Sequence, residues 1–419
     1  MTAQAKLLEI VARNRAGETI GIPSWCTAHA DVLRVVLAAY RDTDDPILIE
    51  ATCNQVNQLG GYTGMTPADF RGFVFGLAHE VGVRPEQIIL GGDHLGPNPW
   101  RERPAAEAMA LAGEMVRAYA EAGFLKVHLD ASMRCADDGQ LSEAEMASRA
   151  AALCEIAERH SGTTNPVYVI GTEVPVPGGE ATGATGPAIT DREAAITTFA
   201  RHRQAFAARG LEAGAQRIIG IVVQPGVDFG NDEVWPFDAN AAAQLTIAAD
   251  AIPGVVFEAH STDYQQPGAL RELVASHFGI LKVGPELTFA FREAVIAMAE
   301  IEERLDLATP SGIVKIIETA MAENPRHWRG YIAEDGRRRT QLLYGLSDRV
   351  RYYWPEPRIK FALAELFANM DEATPEPGLV SQFAGLAPGK VARSSSLSRR
   401  IVEAKVAAVV TKYRSACRP

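Results

Sequence analysis

Cysteine is scarce in this chain and scattered. The 419 residues hold five, at positions 26, 53, 135, 154 and 417. No two form a Cys-x-x-Cys pair, so nothing suggests a structural zinc knuckle. An odd, dispersed set in a long chain reads as reduced thiols of a cytoplasmic protein, not a disulfide framework. No apolar run reaches the length of a membrane span. The opening segment, MTAQAKLLEIVARNRAG, carries Lys6, Glu9, Arg13 and Arg15 and lacks the apolar stretch of a signal peptide. Its Leu7, Ile10 and Val11 predict a short amphipathic helix instead. Gly-x-Gly is absent, which removes the usual dinucleotide fingerprint. GxxxxGK[ST] is absent too, and the partial match GLAPGK at 385–390 has neither its spacing nor its hydroxyl. Positive charge is in deficit, with 41 Lys and Arg against 52 Asp and Glu, a formal net charge of -11. An acidic surface argues against nucleic acid and against an anionic membrane. A small anionic substrate stays open, because a local pocket of Arg, Lys and backbone N–H groups can override the global sign.

What is present is apolar and periodic. The 47% hydrophobic content suffices for one large core with an appendage, or for two domains. Short apolar runs predict strands at 20–25, 46–51, 87–92, 124–129, 166–171, 217–223, 254–259 and 279–283. They lack polar alternation, as strands buried on both faces require. Helical patterns fall between them, at roughly 30–41, 67–82, 104–122, 141–160, 190–213, 238–252 and 267–277, with another at 286–305. Thr66-Pro67 reads as an N-cap with Pro at the first helical position, and Ser142 with Glu145 as a capping box. Eight strands alternating with eight helices predict a TIM (β/α)8 barrel over 1–305. A doubly wound sheet has the same periodicity and is the competing fold. From 306 to 419 the chain is helix-rich and reads as a C-terminal helical extension, its Arg337–Arg339 cluster a solvated face. The Gly/Pro/Thr-rich stretch 174–190 is a long loop after the fifth strand, and loops of that length are usually functional or mobile.

Polar residues gather at one end of these strands. Strand two ends in Glu50 and strand three in Asp93-His94. Strand four ends in His128 and Asp130, strand five in Glu173, strand six in Gln224. Strand seven ends in Glu258 and His260, and strand eight in Lys282. Any one of them reads equally well as a satisfied structural group. Together they mark the carboxyl end of a barrel, where active sites sit. The His/carboxylate mixture suits a divalent Zn, Mn, Ni or Co better than Ca. His94 and His260 are the leading ligand candidates, with Glu173, Asp130 or Gln224 completing or backing the shell. Asp93, next to His94, is placed to be a general acid/base. Asn54, Gln55, Asn57 and Gln58, beside Gly60-Gly61, are candidates for sugar hydroxyls or for an amide-rich turn that satisfies its own backbone. Lys282 is a further substrate-binding candidate. Trp100 reads as core packing, Cys26 and Cys53 as inert buried thiols. His29, His79, His160, His202, His277 and His327 read as structural or exposed.

Seven stretches resemble one known family: IEATCNQVNQLGGYTGMTPADF, ILGGDHLGPNPW, KVHLDASM, IGTEVPVPGG, FEAHSTDYQ, LKVGPELTFAFREA and SDRVRYYW. They look like the GatZ/KbaZ family of tagatose-bisphosphate aldolase-associated proteins, over nearly the whole chain. That family is similar in turn to class II, metal-dependent aldolases. The resemblance implies that Asp93-His94 matches a catalytic Asp followed by a ligand His. It implies that Asp130 and Glu173 match carboxylates near the metal, and His260 a second ligand. Two departures stand out. Gln224 occupies the expected place of a third ligand His. Ser261-Thr262-Asp263-Tyr264 replaces the aldolase Gly-Gly-Ser-Gly phosphate cradle. Arg349 and Arg351, from SDRVRYYW, are then candidates for the phosphate, or partners of acidic residues in the extension.

Three activities follow from the resemblance: an aldolase-supporting noncatalytic subunit, a tagatose 6-phosphate kinase, and a tagatose 6-phosphate/fructose 6-phosphate 4-epimerase. The residues fit the last. C4 of a 2-ketose is not adjacent to the carbonyl, so enolisation cannot invert it. Without a nicotinamide site, the remaining route is retro-aldol cleavage of C3–C4 and re-addition. That needs a divalent metal for the enediolate and a carboxylate, Asp93, for the C4 hydroxyl proton. Glu50 or Asp130 assists from the opposite face. The expected partners are a small phosphorylated sugar and either a second copy of the chain or a class II aldolase.

Overall fold

Runs such as Ile47–Ile49 and Val167–Ile170 place β-branched side chains on both faces of a strand, and both faces are buried. The computed structural model describes residues 1–172, 186–332, 336–387 and 396–419. Glu173, most of the predicted 174–190 loop and the end of GLAPGK lie outside the described residues. The strands are β1 Ile22–Cys26, β2 Ile47–Thr52, β3 Ile88–Leu95, β4 Lys126–Leu129, β5 Val167–Ile170 and β6 Ile218–Val222, a small antiparallel hairpin of β7 Asp228–Phe229 and β8 Val234–Trp235, then β9 Val256–Ala259 and β10 Phe278–Val283. All eight predicted runs are strands. They pair in parallel in the order β1-β10-β9-β6-β5-β4-β3-β2, and β1 closes the ring by bonding both β2 and β10. The chain is therefore a TIM barrel, not a doubly wound sheet.

The helices are α1 Ala3–Arg15, α2 Ala30–Ala38, α3 Pro67–Val81, α4 Ala105–Glu121, α5 Glu143–His160, α6 Arg192–Ala207, α7 Glu212–Gln216, α8 Ala243–Ala248, α9 Pro267–Ala275 and α10 Pro285–Glu302, followed by α11 Ile313–Glu323, α12 Arg338–Tyr344, α13 Pro357–Glu372, α14 Pro377–Ala384 and α15 Leu397–Ala416. Thr66 and Asp69 close a capping box on α3, and Ser142 caps α5. The helix predicted over 190–213 is broken into α6 and α7, the break falling at Gly210 in the left-handed conformation. Helix α1 sits under the barrel, its Ala3, Leu7 and Val11 packed in one apolar cluster with the strand residues Leu48, Ile89, Val167, Ile219 and Ile280.

The segment after 306 wraps the barrel. Helix α15 packs on α2, α9 and α10. Its Tyr413 hydroxyl donates to the Thr262 carbonyl at 2.6 Å, and the Cys417 carbonyl accepts from the Gly21 N–H at 2.9 Å. A 3-10 turn over Arg349–Tyr352 packs on α10 and α12. This turn brings the extension to the carboxyl end of the barrel.

One contact there is very close. A β-carbon on Gly96 would lie 1.6 Å from the Asp130 carbonyl oxygen, which is backbone and cannot rotate away. Gly96→Ala is expected to destabilise by more than ~3 kcal/mol, the upper end of ordinary overpacking. A denaturant midpoint equal to that of the wild type would show that β3 and β4 are not held so tightly there.

Candidate active site and metal centre

Neighbouring residues of a strand point to opposite faces, yet Asp93 and His94 both face the barrel interior. The β3–β4 register slips between Gly92 and Leu95, and His94 takes a positive φ of 51°. This is a bulge, and it turns two consecutive side chains inward. Asp93 Oδ2 and His94 Nε2 end 3.4 Å apart, both buried. Ser261, after His260, also has positive φ, at 53°. Backbone strain thus falls beside both predicted ligands, where functional sites tend to hold it. The small residues before Asp93 leave needed space. A β-carbon on Gly91 would come within 2.7 Å of the Glu50 side chain, and one on Gly92 within 2.7 Å of the Tyr119 ring.

Three imidazoles converge. The ring centroids of His94, His128 and His260 are 5.2, 4.9 and 5.3 Å apart, pair by pair. The third is His128, not Gln224. The Gln224 Oε1 instead accepts from the N–H groups of Gly226 and Val227, in the turn after β6. Around the imidazoles runs a continuous chain of charge. His260 Nε2 lies 2.9 Å from Glu258, whose other oxygen is 2.8 Å from Lys126 Nζ. Lys126 is 2.5 Å from Glu50, Glu50 is 2.6 Å from Lys282, and Lys282 is 2.5 Å from Asp93. Asp93 Oδ1 lies 2.8 Å from His128 Nδ1, and Asp130 Oδ2 lies 3.0 Å from His94 Nδ1. Every member is buried.

The charges do not balance. Four carboxylates (Glu50, Asp93, Asp130, Glu258) face two ammonium groups (Lys126, Lys282), which leaves two negative charges if the imidazoles are neutral. Burial alone would raise the Asp93 carboxyl, but His94, Lys282 and the bond to His128 outweigh it and hold it well below the usual range. Asp130 likewise overcomes its burial, through His94, and sits at about 2. Burial works against the Lys282 ammonium, but Asp93 and Glu50 hold its pKa well above the ordinary lysine value. His94 is raised despite burial, because Asp93 and Asp130 surround it. For His260 burial wins, and its pKa falls to about 3, so it is a neutral ring with a lone pair to give.

This set fits a divalent cation. One ligand atom from each of Asp93, His128, Glu258 and His260 lies within 4.8 Å of the others. His128 Nε2 is buried with no hydrogen-bond partner among the described residues, while its Nδ1 is fixed by Asp93. A carboxylate on one ring nitrogen is how ligating imidazoles are oriented toward a metal on the other. His94 is the neighbouring imidazole ligand candidate. The excess of two negative charges matches the charge of the ion.

The cavity above this network is lined by Asp93, His94, His260 and Lys282 at one end and by Tyr62, Arg351, Tyr352 and Trp354 at the other, with Asn54 and Gln55 on its wall. Other predicted residues lie elsewhere. Gln58 donates to the Leu111 carbonyl of α4 at 3.0 Å, so its amide is part of the packing between that loop and α4. Asn57 braces its own loop, bonding Cys53, Leu59 and Gly61. Arg349 is buried with its guanidinium over the Tyr331 ring. Glu50 and Asp130 lie beneath the cavity surface and act on it through Lys282 and His94. Two residues read from sequence as incidental belong near it. His29 lines it, and His327 stacks on Tyr352 with centroids 4.7 Å apart. Lys126 was not foreseen, since a lysine opening an apolar strand gives no sign of its buried partners.

His128→Ala is expected to strip the metal from the purified chain. Loss of an imidazole from the set should weaken affinity by at least the ~10–100-fold typical of losing even a supporting contact. Elemental analysis after dialysis measures this. A variant that keeps its full complement of metal would remove His128 from the ligand set.

The sequence model for "D-tagatose-1,6-bisphosphate aldolase subunit GatZ/KbaZ-like" matches residues 7–418. A Salmonella typhimurium protein named D-tagatose-1,6-bisphosphate aldolase subunit GatZ is 46% identical over 98% of this chain and 99% of its own. A protein of the same name from Salmonella paratyphi B is 45% identical over the same shares. A solved structure described as a probable tagatose 6 phosphate kinase from Sinorhizobium meliloti 1021 superposes with a TM-score of 0.85 at 44% identity, covering 95% of this chain and 100% of that one. The buried site at the barrel mouth and the full-length match agree: the chain belongs to the GatZ/KbaZ-like family.

Proposed function

We propose that this chain handles a tagatose phosphate in the cavity at the mouth of its barrel. The names of its relatives support one reading best: a subunit that works beside a class II D-tagatose-1,6-bisphosphate aldolase. One observation favours a second reading, in which the chain is itself the 4-epimerase of D-tagatose 6-phosphate and D-fructose 6-phosphate. It is the pairing of a buried, ionised Asp93 with an ammonium and an imidazole at the wall of an open cavity. Desolvating four carboxylates and two lysines in one place does not favour stability over apolar packing. A noncatalytic subunit has no use for such a group of shifted pKa values, whereas active sites do.

In the epimerase reading, C3–C4 of the ketose breaks. The electron pair stays on the C1–C3 fragment as an enediolate, and C4 becomes an aldehyde carbon. Asp93, held as a carboxylate, takes the C4 hydroxyl proton. After the aldehyde rotates, C3 attacks its other face and Asp93 returns the proton, so no atom is lost or gained. Lys282 donates to Asp93 and Glu50 at once, and so keeps the base ionised and fixed. A divalent ion held by His128 and His260 with Asp93, Glu258 or His94 supplies Lewis-acid stabilisation of charge on the substrate oxygens. Asn54 and Gln55 are placed for sugar hydroxyls.

The test is incubation of the purified chain, alone and with Mn or Zn, with tagatose 6-phosphate. Formation of fructose 6-phosphate without a partner, lost by ~10²-fold or more in Asp93→Asn, supports the epimerase. Metal content must be measured in that variant, since Asp93 lies among the ligand candidates. No conversion, with stabilisation of a class II aldolase on mixing, supports the subunit.

A further inference from the structure

The two ends of the cavity differ in kind. One holds the imidazoles, Asp93 and Lys282. At the other, the 3-10 turn of the C-terminal extension brings in Arg351 and Tyr352. Arg351 is half-buried, and no carboxylate lies within ion-pair distance of it among the described residues. Its Nη1 donates to the carbonyls of Ser347 and Asp348, and its Nη2 donates to the Tyr352 hydroxyl at 2.9 Å. Those partners aim the guanidinium without neutralising it. Burial opposes its charge, and Tyr352 and Tyr62 more than offset that.

The turn is built to hold this pose. Asp348 takes a positive φ of 43°, which a non-glycine residue adopts only when its surroundings require it. Its buried carboxylate is fixed by Arg292 Nε at 3.1 Å and by the Thr288 hydroxyl at 2.5 Å, both from α10. With Asp348 so held, its carbonyl and that of Ser347 clamp Arg351. Arg349 is two residues away and turns instead onto Tyr331.

The other anion site one would look for is occupied. In the segment that replaces the aldolase glycines, Asp263 Oδ1 accepts from the N–H groups of Gly284 and Glu286 at 3.1 and 2.8 Å. That carboxylate already satisfies the amino end of α10, which would otherwise attract a phosphate.

We propose that Arg351, clamped by the Ser347 and Asp348 carbonyls and flanked by Tyr352 and Tyr62, is the receptor for the phosphate of the sugar substrate. The C-terminal extension thereby sets the preference for phosphorylated over free ketose. The proposal rests on the reading that this cavity takes a sugar phosphate, under either the epimerase or the subunit role. A dianionic phosphate accepting from a guanidinium gains short, charge-assisted bonds that a free hydroxyl cannot match.

The experiment is calorimetric titration of the full-length, metal-loaded chain with tagatose 6-phosphate, D-tagatose and inorganic phosphate. Wild type is compared with Arg351→Met, Arg351→Lys and Arg349→Met. The expected result is a loss of roughly 10- to 100-fold in affinity for tagatose 6-phosphate and for phosphate in Arg351→Met. Arg351→Lys should be intermediate, and binding of D-tagatose should be unchanged. Arg351→Lys keeps the charge and fills most of the same volume, so it reports even if the Met variant does not fold. Equal phosphate affinity in wild type and Arg351→Met would overturn the assignment, as would loss in Arg349→Met alone or no phosphate binding by the wild type. If tagatose 6-phosphate fails to bind while phosphate binding still depends on Arg351, the anion site stands and the choice of sugar in the functional reading falls.

Discussion

Two uncompensated negative charges inside a closed barrel are the constraint on which the rest of this molecule turns. A carboxylate moved from water into a protein interior loses solvation that only partners can restore. Lys126 and Lys282 each bridge two acids, and that leaves the remaining charge to imidazoles and a cation. Much of the local sequence follows. Gly91 leaves space for the Glu50 carboxylate, and the bulge at His94 lets two adjacent polar side chains enter the same interior. The lower half of the barrel is apolar and closed by α1, so the charged layer has water on one side only. Every interaction in that layer is stronger for it.

The C-terminal extension is tied to this layer from outside. Tyr413 of α15 bonds Thr262, two residues beyond His260, and Thr262 in turn donates to the Lys282 carbonyl at 2.5 Å. On the other side, Asp348 joins α10 through Arg292 and Thr288 and carries Arg351 to the cavity. The barrel alone would present half a cavity, charged at the imidazole end and open at the other. A segment that reads in sequence as an appendage supplies a wall of the site.

How much of this was legible in the sequence depends on the kind of information each feature needs. The eight strands were, because burial on both faces leaves an unbroken apolar run. So was the carboxyl-end cluster, because topology forces all eight parallel strands to end on one face. The identity of the third imidazole was not. His128 and Gln224 both end strands, and which one points inward depends on register, set by contacts between strands and not within them. Asp93 and His94 illustrate the same limit. Alternation assigns them to opposite faces, and only the bulge overrules it. Arg349 and Arg351 are chemically identical and two residues apart, so the choice between them lies in the turn that Asp348 imposes. Gln55 and Gln58 divide in the same way, one on the cavity wall and one bonded to α4. Glu173 falls outside the described residues.

Stability and chemistry pull in different directions here, and that bears on which role the chain plays. The network would be better satisfied, as a matter of folding, by apolar side chains of similar size. It is tolerable with a cation that binds only the folded form, since such binding adds to stability by mass action. Metal affinity and fold stability are therefore one quantity in this protein, read in two ways. A subunit needed only for its surface could place that surface on a barrel with a plain core. This barrel instead keeps an ionised base, two fixed ammonium groups and three imidazoles around one point, and opens a cavity onto them. The relatives' names speak for partnership with an aldolase, and the interior speaks for a reaction. Both are met by a barrel that takes the same sugar phosphate and differs only in what it does after binding.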